Sequence, residues 1–125
     1  MRFMMILKST PDFEARIDAG VPMNEAIHTE MSRYNTELVQ AGALLAGEGL
    51  HTSARGGKVR FHGDGRISVT DGPFTEAKEI IAGYWIIQVK SKAEAIEWAK
   101  RIPNPDHEDH EVELRQVHDS SDAVT

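Results

Sequence analysis

Gly83-Tyr84-Trp85-Ile86-Ile87-Gln88-Val89-Lys90, followed by Ser91-Lys92-Ala93-Glu94, decides the fold. A strand with one wet face alternates apolar and polar residues, whereas Tyr84 and Ile86 on one face and Trp85, Ile87 and Val89 on the other make this one apolar on both sides. That pattern places it in the middle of a sheet. Ser91 and Glu94 then form a capping box, Ser91 as N-cap and Glu94 three residues on. The strand therefore runs directly into a helix, which buries Ala95, Ile96, Trp98 and Ala99 and ends before Pro103.

Working outward, Phe3-Met4-Met5-Ile6-Leu7 is a second strand with two apolar faces. Ser9-Thr10-Pro11-Asp12 starts a short helix and Gly20 stops it. Pro22 opens a longer helix with Met23, Ile27, Met31, Tyr34, Leu38 and Ala41 on one stripe, ended by Gly42. Residues 42–50 form a short strand with a glycine-rich exit. Lys58–His62 and Arg66–Thr70 alternate around Gly63-Asp64-Gly65 as a hairpin, with Val59, Phe61, Ile67 and Val69 expected on its buried face. Residues 111–117 alternate as an edge strand with Val112 and Leu114 inward.

The order β-α-β, hairpin, β-α-β predicts an α+β domain over residues 1–117: a ferredoxin-like split β-α-β with an inserted β-hairpin. Residues 118–125 are expected to be a disordered polar tail. Right-handed crossovers put both helix layers on one face of the sheet. The other face is then bare yet apolar, which marks an interface, and a second copy of the same sheet is its natural cover. The expected assembly is a homodimer forming a dimeric α/β-barrel.

The 125 residues suit one domain. There is no cysteine, which excludes disulfides, thiolate metal sites and Cys nucleophiles. The net charge of -6, with Lys and Arg scattered, argues against direct nucleic-acid binding. No apolar run approaches a membrane span, and the short run at the N-terminus lacks the features of a signal peptide. The expectation is a cytoplasmic protein with no membrane partner.

Val69-Thr70-Asp71-Gly72-Pro73-Phe74-Thr75-Glu76-Ala77-Lys78-Glu79 carries more than a connection needs: a turn former, an aromatic and a charged set at fixed positions. With Gly83-Tyr84-Trp85, residues 38–50, Glu97–Pro103 and Val112–Arg115, it resembles the DGPF-domain branch of the YCII-related superfamily. The resemblance covers most of residues 2–117 and implies a dimeric α/β-barrel on the ferredoxin-like fold. It also implies that the His of a His-Asp pair used elsewhere in the superfamily falls at Met31 here, so that pair is incomplete. The resemblance also implies a regulatory association, since some relatives are encoded beside extracytoplasmic-function sigma factors.

Asp71 is the candidate general base of a cleft, although capping of the Asp-Gly-Pro turn explains it as well. Pro73, Phe74, Glu76, Lys78 and Glu79 are candidate contacts to a small polar ligand; an exposed ion-pair network is the alternative. Glu48, between Gly47 and Gly49, is a further ligand candidate, because glycines permit close approach. His51 is the histidine nearest both motifs and a candidate acid/base partner, with a solvated loop as the plainer account. Asp106–Glu111 contains His107 and His110, and a hydrated acidic loop explains it better than a metal site.

Two functions follow. The first is a homodimer binding a small polar molecule in a cleft lined by the signature loop, with cofactor-free acid/base chemistry of lyase or isomerase type if it is catalytic. The second is a non-enzymatic regulatory or interaction protein, for example working with a sigma factor. No cofactor or metal is expected in either.

Overall fold

The computed structural model describes residues 1–120. Four strands, β1 (Arg2–Lys8), β2 (Leu44–Gly49), β5 (Ile81–Gln88) and β6 (Val112–Gln116), form an antiparallel sheet in the order β2-β5-β1-β6. Helices α1 (Pro11–Asp18) and α2 (Glu25–Gln40) connect β1 to β2, and α3 (Lys92–Lys100) connects β5 to β6. Strands β3 (Gly57–Phe61) and β4 (Ile67–Asp71) pair only with each other. Each crossover skips one strand, so two split β-α-β units interleave. This is the ferredoxin-like topology, with β1 and β5 central.

Local chemistry sets the helix ends. Thr10 Oγ1 accepts from the Phe13 amide at 3.1 Å, with Pro11 in the first turn, where its missing N–H costs nothing. Pro22 does not open the second helix. Asn24 does, its Oδ1 accepting from the Ala26 amide at 2.9 Å, which leaves Met23 outside the helix and 39% exposed. A side chain that satisfies a free first-turn amide outcompetes a proline two residues upstream. At Ser91 the box is slightly offset: Ser91 Oγ accepts from the Glu94 amide, while the Glu94 carboxylate accepts from Lys90 rather than Ser91.

The core lies on one face of the sheet. Phe3 and Met5 of β1 and Trp85 and Ile87 of β5 meet Tyr34 and Leu38 of α2 and Ala95 of α3. The Tyr34 ring stands edge-on to Trp85 and Trp98, with centroids 5.7 and 6.2 Å away, and its hydroxyl donates to the Trp98 carbonyl at 2.7 Å. Burial pushes that hydroxyl's pKa well above its ordinary range, with Arg101 opposing the shift.

The opposite sheet face carries Met4, Ile6, Tyr84 and Ile86, each only partly buried. The hairpin departs further from expectation. Register pairs Val59 with Val69 and Phe61 with Ile67, so the four share one face. That face is open, with exposures of 57, 70, 76 and 62% in that order. Alternation reveals which residues share a face, but not whether anything packs on it.

The chain after β6 is tied down as far as Asp119. Arg2 donates to the His118 carbonyl at 2.6 Å and pairs with the Asp119 carboxylate at 3.1 Å. These contacts fall on the first residues of the expected polar tail. Its last five residues, 121–125, lie outside the described residues.

Candidate functional site

Three glycines shape one end of the sheet. Gly47 pairs with Trp85, Gly49 with Gly83, and Gly83 also with Leu7. Trp85 is a core residue, so Gly47, Gly49 and Gly83 all face the helix layer at adjacent positions. Trp85 and Leu44 lean over Gly47, whereas a Cβ on Gly49 would meet nothing within 4 Å. Phe13 and Ile17 of α1 and Ile27 and Met31 of α2 line the space on the helix side. A cavity of about 510 Å³ results.

The segment between α3 and β6 forms a side wall. Asn104 accepts from the Glu108 amide at 3.1 Å and donates to the Glu108 carbonyl at 2.8 Å. Asn24 donates to Asp106 at 2.7 Å, Arg16 pairs with Glu108 at 3.4 Å, and the Lys8 amide donates to the Glu111 carbonyl at 3.0 Å. These bonds bring His110 to the cavity, its Nδ1 buried with no hydrogen-bond partner. His28 and Asn35 reach the cavity from α2. Trp85 Nε1 donates to Asn35 Oδ1 at 2.8 Å, which fixes the amide and leaves its NH2 as the group to offer a ligand. Phe13, Ile17, Ile27 and Met31 give the chamber apolar surface, and Lys8, Arg16, Glu48, Asp106, Glu108 and Asp109 border it as well; a concave, partly apolar chamber with converging polar groups is the usual form of a small-molecule site. A second groove, of about 500 Å³, is bordered by the charged Glu30, Arg33, Glu37 and Arg101 together with Tyr34, Pro103 and Pro105, and Arg101 in it is already paired with Glu37 and stacked 4.5 Å over Trp98.

Of the residues singled out in the sequence, Glu48 borders the cavity, as do Asp106, Glu108, Asp109 and His110 of the acidic segment. The signature-loop residues do not line it; they gather at the base of the hairpin. Asp71 ends β4 opposite Gly57. Gly72 and Pro73 are joined by a cis peptide. The Phe74 amide donates to Ser53 Oγ at 2.9 Å, and the Lys58 ammonium sits 4.7 Å over the Phe74 ring. Lys58 also pairs with Glu79 at 2.9 Å, and the Lys78 carbonyl accepts from Lys8 at 3.1 Å. Glu76 immediately precedes a short 3₁₀ turn, Ala77–Glu79. His51 faces Arg55 at 3.3 Å on the surface.

Ser53 joins this base to the body. The Glu14 carboxylate, 6% exposed, accepts from the Ser53 amide at 2.7 Å and from its hydroxyl at 2.5 Å. Thr52 donates to Asp18 at 2.7 Å. The signature loop thus bolts the hairpin to α1.

His28, Asn35 and Phe13 were not among the sequence candidates, and His110 was weighed only as a metal ligand and set aside. His28 follows Ile27 of the apolar stripe, and that position was the available signal. His110 sits in an acidic, proline-flanked segment that composition assigns to solvent. The strand pairing of β6 with β1 pulls it inward.

An α+β ferredoxin-like domain with a ligand-sized cavity at one end of its sheet is the class that fold and site define. A family model described as "YCII-related domain" matches residues 1–119, and the chain belongs to that family. An uncharacterized protein, R00369, of Rhizobium meliloti (strain 1021) is 29% identical over 94 residues, 75% of each chain. Among solved structures, the 5-chloro-2-hydroxyhydroquinone dehydrochlorinase of Burkholderia phenoliruptrix AC1100, in complex with 2,5-dihydroxybenzoquinone, is similar over 94% of both chains, with a TM-score of 0.50 and 14% identity. That likeness is one of fold. Among the described residues, no helix is long and apolar enough to cross a membrane.

Proposed function

We propose that this chain is a homodimeric protein that binds a small molecule in the glycine-floored cavity and performs proton-transfer chemistry there, of lyase or isomerase type and without a cofactor. One observation carries the reading: two histidines and an oriented amide border a ligand-sized chamber that has apolar side chains of both helices on one side and charged residues along its edge. Histidine is the side chain suited to proton transfer near neutral pH. The structural neighbour's description as a dehydrochlorinase supports the choice of chemistry by analogy of fold. Asp71 at the hairpin base serves the turn in this reading, and Glu48 borders the ligand.

The dimer is supported by apolar surface that the chain leaves uncovered: the hairpin face of Val59, Phe61, Ile67 and Val69, and the sheet face of Met4, Ile6, Tyr84 and Ile86. Covering the hairpin face alone would contribute roughly 4–8 kcal/mol before the costs of association. The same open face also suits a different protein, which is the regulatory reading. Sedimentation of the purified chain separates the two: a dimer at micromolar concentration supports the first, and a folded monomer favours the second. For catalysis, His28→Ala and His110→Ala variants should abolish turnover of any substrate found by screening while retaining the native circular dichroism spectrum. Full activity in both would sink the proton-transfer reading.

A further inference from the structure

Two apolar surfaces of this chain lie open. One is the hairpin face of Val59, Phe61, Ile67 and Val69, all exposed. A two-stranded hairpin with a bare apolar face is marginal in water and needs something packed on it. The other surface is the mouth of the cavity. Ile17, Met23 and Leu50 border the cavity and are themselves exposed, so they mark where it opens. Large apolar side chains grouped in this way mark a contact surface.

The hairpin is rooted beside that mouth. Thr52, two residues after Leu50, donates to Asp18, the residue after Ile17, at 2.7 Å. Its base is nevertheless held fast. Gly72 packs on the Ser53 carbonyl with no room for a Cβ, the Phe74 amide donates to Ser53 Oγ, and the buried Glu14 carboxylate accepts from both the amide and the hydroxyl of Ser53. Fixed at this angle, the hairpin leaves its apolar face in solvent and does not cover the mouth of its own chain. The cover for both surfaces has to come from another molecule.

Charge selects the pairing. Residues 55–70 carry Arg55, Lys58, Arg60 and Arg66 against Asp64 alone. The cavity is bordered by Glu48, Asp106, Glu108 and Asp109 against Lys8 and Arg16. Hairpin on hairpin would set two positive surfaces together, whereas hairpin on mouth sets positive against negative.

We propose that in the homodimer the hairpin of each protomer seats its apolar face on the cavity mouth of the other, so that Phe61 of one chain becomes a wall of its partner's ligand site. Two-fold symmetry makes the exchange reciprocal. The proposal rests on the homodimer and cavity read above and deepens that reading: the site is complete only between two chains.

The chain has no cysteine, so introduced thiols report defined pairs. One preparation of the full chain carries Val69→Cys, a near-isosteric change that leaves Phe61 in place. A second, bearing an affinity tag, carries Leu50→Cys or Met23→Cys. The two are mixed, oxidised and run on a non-reducing gel, and the same chains are sedimented before oxidation. A disulfide forms only where Cα atoms come within about 7 Å. The mixed product should form with at least one of the two mouth positions, in excess over either self-linked product, and adding Phe61→Ser should lower its yield several-fold. If Val69→Cys does not fold, Ile67→Cys on the same face takes its place.

Thiols at position 69 joined mainly to each other would put hairpin on hairpin and overturn the proposal. An intrachain disulfide as the main product of the doubly substituted Leu50→Cys, Val69→Cys chain would put the hairpin over its own mouth and overturn it too. A sedimenting dimer with no mixed product overturns the exchange and leaves the homodimer standing, its interface elsewhere. A folded monomer removes the homodimer reading and the exchange with it.

Discussion

Gly72 lies so close to Ser53 that a Cβ on the glycine would stand 1.7 Å from the Ser53 carbonyl oxygen. No side chain fits between them, and the obstacle is backbone, which cannot turn aside. The glycine of the Asp-Gly-Pro-Phe stretch is thus a packing requirement of the hairpin's attachment. Gly72→Ala should destabilise the fold by about 3 kcal/mol or more, the upper range for overpacking. Urea denaturation measures it; a change under about 1 kcal/mol would show that the loop can slide away from Ser53.

The buried Glu14 should behave as the other half of that attachment. Its carboxylate accepts from both the amide and the hydroxyl of Ser53. Glu14→Ala leaves both donors without their partner, at a cost of about 1–3 kcal/mol. Glu14→Gln keeps an acceptor oxygen and should recover part of the loss. Equal destabilisation by the two substitutions, measured by denaturant titration, would argue that volume rather than hydrogen bonding holds α1 to the turn.

Tyr34 gives the fold an alkaline limit. Its pKa is raised by burial, so between the ordinary value of about 10 and the raised one the native state keeps a proton that the unfolded chain loses. The stability contribution is whole below about pH 10 and is lost as pH climbs through the raised value. Tyr34→Phe should cost about 0.5–1.5 kcal/mol at neutral pH, through the lost bond to Trp98, and should flatten the decline above pH 10. Thermal melts of both proteins from pH 8 to 11 check the slope.

The sheet was legible in the sequence because burial leaves a periodic trace. Two strands apolar on both faces had to be central, and β1 and β5 are. The hairpin register was legible for the same reason, while its exposure was not: Val59 and Phe61 alternate as a buried strand would, and no residue pattern names the surface that covers them. The site was the hardest part. Gly47 and Gly49 were visible as glycines near Glu48, but Gly83 joins them only through the pairing of β2 with β5. His110 is three-dimensional information in the same sense, since it precedes a strand whose Val112 pairs with Leu7 of β1. The signature loop drew attention through its unusual composition, and that composition serves the Ser53 contact and the Lys58–Phe74–Glu79 cluster.

The exposed hairpin face should matter for assembly and hardly for folding. Phe61 is 76% exposed, so Phe61→Ser removes little from the isolated chain, within about 0.5 kcal/mol. It should nevertheless shift a dimer toward monomer by at least about tenfold in dissociation constant, since a central aromatic is the commonest interface anchor. Analytical ultracentrifugation across a concentration series reads the effect. An unchanged dimer would move the interface to the sheet face of Met4, Ile6, Tyr84 and Ile86.

The signature loop and the glycine-floored cavity make opposite predictions about where a ligand sits. Glu76 and Lys78 do not border the cavity, and the Lys78 contact to Lys8 runs through its carbonyl, which a side-chain substitution preserves. Glu76→Gln and Lys78→Met should therefore melt within about 0.5 kcal/mol of the parent and should bind a cavity ligand as the parent does. Gly49→Val points two methyl groups into open space and should exclude that ligand. Asp71→Asn gives the third arm: it keeps the geometry of the turn while removing the charge, so its effect should fall on stability and leave binding intact. If instead the Glu76 and Lys78 variants lose the ligand and Gly49→Val retains it, the binding site is the loop at the hairpin base. The cavity would then be a packing consequence of three glycines.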